Sequence, residues 1–421
     1  MREKLSKLAN VYKKYGLAGF IKKVAAYISA NYLNRYSPAV LLQQGKHRRQ
    51  VHEILGGEYQ RVILWRSSFG YKVPLFQRPQ HIARNLAKQG CLVLYEVTTM
   101  TDDVKTIAKQ EDNLYLVNFN NVFFRRILMQ ELDTVTKPKF LQLYSTDWTL
   151  TMEDVRSYLN RGFGFIYEYI DHISSELSGT SMLPAAISEK YEYAMTHEDT
   201  FVVVTADLLA EDVAAKRGEK NMAFSTNGVD YDFFRQYEDG FTFDADFNAV
   251  LEIGKPIVCY YGALAKWFDY ELVKKIAATD QYSVVLFGVK YDESFDEQLK
   301  GTRNVYFLGP RDYSVLKYYA QVCDVLTIPF LINDITRSTS PVKIFEYMAM
   351  HKPIVTTDMH ECRKYDSVLI GKTHEEFIAL LDKAMSLRSD ADYIEKLDKD
   401  ARSNDWSMKA QAIIDMLDDR K

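Results

Sequence analysis

The chain has 421 residues, 47% of them hydrophobic and 26% charged, with a formal net charge of −4. That composition excludes a disordered or fibrous chain and leaves a globular protein long enough for two or three cores. Four cysteines (Cys91, Cys259, Cys323, Cys362) are scattered without a CxxC pair, so neither a zinc site nor a disulfide framework is indicated and a reducing cytosol is the simplest setting.

Residues 1–60 carry eleven Lys and Arg against three Glu, a balance of +8, so residues 61–421 must hold −12 to reach the total of −4. A basic segment on an acidic body points to an anionic partner. Within it Leu17, Phe20, Ile21, Val24 and Ile28 fall in one stripe at helical spacing, with Lys22 and Lys23 off it. That pattern fits a helix on a membrane surface, with Tyr12, Tyr15, Tyr27 and Tyr32 at the interface, and equally a helix packed on its own protein. No nucleic-acid motif accompanies the charge. There is no recognisable leader and no apolar run long enough to cross a bilayer, so the expected location is the cytoplasm, with residues 1–60 as the candidate peripheral contact to the inner membrane face.

From Arg61 the pattern becomes α/β. RVILW reads as a buried strand, HIARNLAKQG as a helix ending at Gly90, and CLVLYEV as the next strand, which together make a βαβ unit. Further strands are predicted at Leu114–Phe119, Phe140–Tyr144, Phe165–Ile170 and Phe201–Thr205. A polar, acidic stretch, Tyr231–Glu252, separates this domain from a second alternation: strands in PIVCYYGAL, SVVLFGV, NVYFLGP and DVLTIPF, with helices in YELVKKIAA and YSVLKYYAQV. The expected boundaries are 1–60 for the basic segment, 61–235 and 236–403 for two doubly wound domains, and 404–421 for a closing helix. No GxGxxG opens a helix after a strand and no GxxxxGK[ST] loop is present, so a dinucleotide-binding dehydrogenase lacks support.

The most informative stretch is RSTSPVKIFEYMAMHKPIVTTDMHE, Arg337–Glu361. Ser340 and Pro341 read as a helix start, and Val342, Ile344, Phe345, Met348 and Ala349 give an apolar face. Lys343 in the first turn, with Arg337 just upstream, crowds cations at an end that prefers anions. A bound phosphate would reverse that penalty, and Ser338, Thr339 and Ser340 add hydroxyls to the cradle. Glu346, three residues on, could accept from a vicinal diol such as a ribose. Read alone, Lys343 and Glu346 would be a surface ion pair.

This stretch resembles the donor-nucleotide motif of GT-B glycosyltransferases, in particular the retaining branch with SPxKxFEYxAxGKPxV. The resemblance implies two Rossmann-like domains facing a cleft, with Glu346 on the ribose of a nucleotide sugar and Ser340, Val342 and Lys343 on its diphosphate. YYGALAKWFDYEL (Tyr260–Leu272) resembles the branch's GxxxxWFDxxL loop, which places Gly262 at the site. Ala263 and Phe268 stand where many relatives carry a cation, so Lys266 would take over. STNGVDYDFF resembles the NGVDxxxF segment, which puts Asn227 and Gly228 in a turn near the cleft. Trp65–His81 resembles WRxxxxxxxxxQRPQHxA, with Arg66, Arg78 and His81 facing the cleft and His81 either a catalytic candidate or the cap of its helix, although Phe76 and Gln77 replace a common glycine pair. Asp171 and His172 stand where relatives carry a His-Asp pair, so that Asp171 either serves an acceptor hydroxyl or caps the next helix. Ser338 replaces the earlier glutamate of many relatives, and His351 replaces the glycine after the helix, which predicts a helix end without the left-handed cap.

Asp230/Asp232, Asp244/Asp246 and Asp390/Asp392 have metal-ligand spacing but read as solvated loops, so no metal or cofactor is expected beyond the donor. Cations at Lys343, Lys266 and Arg337 would neutralise the leaving diphosphate instead. The resulting expectation is a sugar transferase from a nucleotide diphosphate sugar to a sugar or lipid-linked hydroxyl acceptor, in bacterial-type surface polysaccharide or glycolipid synthesis. The alternatives are a nucleotide-sugar epimerase of the same fold and a non-catalytic subunit used for assembly.

Overall fold

The computed structural model describes residues 16–25, 28, 33, 36–67, 69–73, 76–97, 102–173, 183–238 and 240–419. They divide into two compact units, one of residues 1–73, 86–143 and 147–166, the other of residues 74–85, 144–146 and 167–421. The fold is mixed α/β with two sheets.

The first sheet holds β1 (Arg61–Trp65), β2 (Cys91–Glu96), β3 (Ile107–Glu111), β4 (Leu114–Val117), β5 (Lys139–Tyr144), β6 (Phe163–Tyr169), β7 (Phe201–Val204) and β8 (Met222–Phe224). Their order is β3-β4-β2-β1-β5-β6-β7-β8. β1, β2, β5 and β7 are buried at every position, as expected of parallel strands covered on both faces. The polar strand β3, IAKQE, is half-buried and antiparallel to β4. Its lack of an apolar run explains why sequence periodicity passes over it.

The second sheet holds β9 (Ile257–Tyr261), β10 (Ser283–Phe287), β11 (Val305–Gly309), β12 (Val325–Ile328), β13 (Ile354–Thr357) and β14 (Val368–Gly371). Its order is β11-β10-β9-β12-β13-β14, and all five pairings are parallel. The chain winds outward from β9 through β10 to β11, then restarts on the other side of β9 at β12. That reversal makes a topological switch point, outside whose strand ends a ligand crevice forms in sheets of this kind.

Aspartate is the recurrent helix cap of this chain. Asp230, Asp269, Asp312, Asp390 and Asp405 each accept a backbone amide at the start of a helix, satisfying donors that lack an intrahelical acceptor. The Trp406–Asp418 helix packs on β7 and β8, and Ser225 Oγ donates to its Lys409 carbonyl at 3.0 Å.

Residues 16–25 are helical, with Leu17 63% and Ile21 58% exposed. Tyr12, Tyr15, Tyr27 and Tyr32 lie outside the described residues. The Gln44–Leu55 helix differs from the expectation that residues 1–60 stand apart. It packs on the Val122–Leu132 helix, burying Val51, setting His47 edge-on to Phe124 and donating from Arg48 to Gln130 at 2.7 Å.

Candidate functional site

The Val342–Ala349 helix starts one residue later than the sequence suggests. Pro341 is the N-cap and no side chain caps it, so Ser340 is not the cap. Instead the Ser340 carbonyl accepts from Asn227 Nδ2 at 2.6 Å, which ties the turn ahead of the helix to the NGVD segment. The first-turn amides of the helix are thus left without a capping side chain. The other end also differs from expectation. His351 takes the left-handed conformation itself (φ 55), with Lys352 N donating to Tyr347 O at 3.2 Å and His351 N to Met348 O at 2.9 Å. That is the pairing of a Schellman end. Asp398 meets the His351 ring at 2.9 Å and holds it in this strained backbone.

The helix buries Ile344, Phe345, Tyr347, Met348 and Ala349 completely, which rigidly sets the direction of its polar residues. Glu346 is 5% exposed and accepts from Tyr261 Oη at 2.6 Å. Burial raises its pKa, against the pull of the Tyr261 hydrogen bond and the Lys343 charge. Burial likewise lowers the pKa of Lys343, against the Glu346 charge. The two are therefore not the solvated ion pair of the simpler reading, in which neither group would feel desolvation.

Lys343 reaches the carboxyl end of β9 over Gly262, whose backbone is in turn packed against Gly288 at the end of β10. A side chain at Gly262 (φ 146) would lie 2.1 Å from Lys343 Cε and 2.8 Å from Nζ. A side chain at Gly288 (φ 139) would lie 1.7 Å from the Gly262 carbonyl oxygen. Only glycine fits either place. The ammonium lies 5.9 Å from the Tyr260 ring centre, and no hydrogen-bond acceptor among the described residues meets it. A helix N-terminus, a bare backbone and a cation thus converge at the switch point, which is the chemistry of a phosphate cradle. Ser340 is buried, Val342 and Gly262 are half-buried, and Arg337 and Lys266 are exposed, Lys266 near Asp292. Phe268, where relatives carry a cation, is a core residue packed on Tyr260.

His81 comes to the same region but is not a free imidazole. It is the fourth residue of the Arg78–Lys88 helix, so it is not the cap, and it is 2% exposed. It stacks on Trp406 at 4.9 Å, meets Phe76 edge-on at 4.7 Å, and approaches Tyr313 Oη with Nε2 at 3.4 Å. Burial, with Arg84 nearby, lowers its pKa to about 3. Burial and then the Glu346 carboxylate push the Tyr313 phenol well above its ordinary value. Tyr313 therefore meets His81 directly and feels the charge of Glu346. Neither it nor Tyr261 was singled out by the motif, although Tyr261, the last residue of β9, could have been found by asking which side chains end a strand at the switch point.

Arg66 and Arg78, expected to face a ligand, are committed to the protein. Arg66 makes two bonds to Glu96, at 2.8 and 3.0 Å, and one to Tyr158 at 2.6 Å. Arg78 bonds Glu168 at 2.9 Å, the Thr226 carbonyl at 2.9 Å and Ser225 at 3.2 Å. Gly228 is required by the approach of the Asn404 carbonyl, 2.4 Å from where a side chain would begin. Asp171 is half-buried two residues past β6, and burial raises its pKa to about 6, whereas His172 is exposed. The helix that Asp171 was expected to cap lies outside the described residues.

The acid pairs are largely exposed, as expected, but they are structured rather than loose loops. Asp230 and Asp390 are helix caps, and Asp244 and Asp246 hold Arg311 at 2.9 and 2.8 Å. Asp207, His360 and Glu361 cluster closely enough to hold a metal ion. Lys364 Nζ already bridges Asp207 and Glu361 at 2.7 Å each, so a cation's place is filled by the chain itself.

Residues 255–386 match the family model described as "Glycosyl transferases group 1". The chain is 24% identical over 313 residues, 70% of its length and 77% of the other's, to a Bacillus subtilis (strain 168) protein that carries the provisional name teichuronic acid biosynthesis glycosyltransferase TuaH. Among solved structures it resembles sucrose-phosphate synthase from Thermosynechococcus elongatus (TM-score 0.59, 14% identity, 85% of this chain and 98% of that one). It also resembles Anabaena HepE in complex with UDP-glucose (TM-score 0.55, 13% identity, 85% and 99%). A third neighbour is the α,α-trehalose 6-phosphate synthase of Burkholderia multivorans (TM-score 0.60, 10% identity, 86% and 98%). At these identities the structural likenesses establish the GT-B fold.

Proposed function

We propose that this chain, a glycosyltransferase of GT-B fold whose residues 255–386 match the group 1 family, moves a hexosyl unit from a nucleoside diphosphate sugar to a hydroxyl acceptor in surface polysaccharide or glycolipid synthesis. One observation carries the reading: Glu346 and Lys343 converge from a single helix on the strand ends at the switch point, with Lys343 laid over Gly262. Glu346 accepts from the ribose hydroxyls. The first amides of the helix at Val342 and Lys343, with Ser340, face the diphosphate across the bare backbone of Gly262. The Lys343 ammonium neutralises the charge that grows on the leaving diphosphate as the glycosyl centre becomes cationic, and Arg337 and Lys266 add charge from the rim. Asp171, with a pKa near 6, is the candidate acceptor of the hydroxyl proton, and His172 stands beside it. His81 acts through Tyr313 as a positioning residue, because a neutral buried imidazole between aromatic rings is poorly placed to exchange protons with a substrate.

HepE, solved with UDP and with UDP-glucose, supports the donor class, and the name of the Bacillus subtilis relative supports the polymer. Retention of configuration is proposed from the resemblance of the SPVKIFEYM motif alone. No helix among the described residues is long and apolar enough to cross a membrane. Exposed Leu17, Ile21 and Ile28 beside Lys22 and Lys23 fit a surface helix that rests on anionic lipid at the cytoplasmic face and brings a lipid-linked acceptor to the enzyme. The test is to incubate purified protein with a panel of UDP-, GDP- and ADP-sugars, with and without vesicles carrying polyprenyl phosphate-linked sugars, and to follow nucleotide release and acceptor mass. Acceptor-dependent release with a hexose mass gain supports the reading. Isomerised donor without transfer would favour the epimerase, and no turnover of any donor would favour an assembly role.

A further inference from the structure

We propose that Tyr261 is a positioning residue of the donor site, whose hydroxyl holds Oε2 of Glu346 and thereby presents an ionised Oε1 to the hydroxyls of a bound ribose. The inference rests on Glu346 being the ribose contact. Tyr261 closes β9 beside the switch point, on the same strand face as Ile257 and Cys259. Its hydroxyl lies 2.6 Å from Glu346 Oε2, and both residues are buried. The phenol cannot swing away. Its ring stands edge-on to Tyr347 at 5.1 Å and 81°, and Tyr347 in turn donates to the Thr327 carbonyl at 3.4 Å. A glutamate on a helix has three rotatable bonds, and a bond to a locked phenol leaves its carboxylate one orientation.

The same bond acts on ionisation. The titratable groups that face Glu346 are Tyr261 from β9, Tyr313 from the Tyr313–Val322 helix, and Lys343 and Tyr347 from its own helix. Of these, Tyr261 and Lys343 favour the carboxylate, while burial opposes it and outweighs them. Without the Tyr261 hydroxyl, Glu346 would take up its proton at a higher pH, and a neutral acid is a poorer acceptor for a diol. Tyr261 therefore extends the pH range over which the ribose can be held.

Calorimetry with UDP and GDP and their 2′-deoxy counterparts, from about pH 5.5 to 8.5, tests this on the full-length protein. The wild type should prefer the ribonucleotide, with an affinity that falls on the acid side. Tyr261→Phe, which keeps the ring, should cut that preference by about 3- to 10-fold near pH 7 and move the acid limb to higher pH. Glu346→Gln should abolish both the preference and the limb in either background. Equal losses for ribo- and deoxynucleotides in Tyr261→Phe, with the limb unmoved, would overturn the proposal and leave Tyr261 a packing residue. A wild type that binds both sugars equally, or binds no nucleotide, would instead overturn the ribose reading on which the proposal stands.

Discussion

Replacing Gly262 with alanine should damage the donor site through Lys343, in addition to straining the backbone. The new methyl would stand 2.1 Å from Lys343 Cε and 2.8 Å from both Lys343 Nζ and Tyr260 Oη. Of these neighbours the lysine end is the one that can give way, because the Tyr260 hydroxyl is fixed to the Ala263 carbonyl at 2.9 Å. A φ of 146 adds backbone strain of about 1–3 kcal/mol, which the thermal midpoint should register. Displacing the ammonium removes a charge-assisted contact to phosphate worth about 1.5–3 kcal/mol, or about 10- to 150-fold in nucleoside diphosphate affinity. Because both effects act on one lysine, the loss in Gly262→Ala/Lys343→Ala should match that of Lys343→Ala alone within about 0.5 kcal/mol. Calorimetry on the four proteins of this cycle measures it. Independent, additive losses would refute the argument that Gly262 is needed to let Lys343 through.

Further outcomes follow from the remaining geometry. Asp171→Asn should flatten the acid limb of the transfer rate near pH 6, since burial raises this carboxyl to about 6. A raised folded pKa means that the native state holds the proton longer, so wild-type stability falls as pH rises from about 4 to 6, and Asp171→Asn should melt higher than wild type above that window. His81 has the opposite sign. With a folded pKa of about 3, its contribution is intact above the unfolded value and is lost as pH falls, by about 2 kcal/mol between pH 6.5 and 5. His81→Phe, which keeps a ring on Trp406, should therefore show a smaller drop in melting temperature over that interval. Leu17→Glu/Ile21→Glu should abolish co-sedimentation with anionic vesicles, which salt alone should only weaken because the apolar stripe is insensitive to screening. Unchanged sedimentation of that double variant would remove the stripe from membrane binding.

The sequence made much of this molecule legible where apolar runs or motif residues carry the information. The runs RVILW, CLVLYE, IVCYY and SVVLF are strands buried at every position, and the SPVKIFEY segment places Lys343 and Glu346 on one short helix. The polar strand β3 and the three-residue β8 carry no periodicity and were not readable. Site details set by distant partners were equally hidden. Arg66 and Arg78 look like ligand residues until Glu96 and Glu168 are found opposite them. Tyr313 owes its place beside His81 to a fold that brings residues 232 positions apart together. His351 keeps a left-handed helix end that its identity argues against, because Asp398 from a later helix holds it.

The most direct test of the account is nucleotide affinity in Glu346→Ala. The buried carboxylate, tied to Tyr261, is read as the contact to the donor's ribose. Its loss should weaken binding of the preferred nucleoside diphosphate by about 1.5–3 kcal/mol, with the far-UV circular dichroism unchanged. Unchanged affinity in a folded Glu346→Ala protein would contradict the account, because the residue on which the donor site is built would then make no contact with the donor.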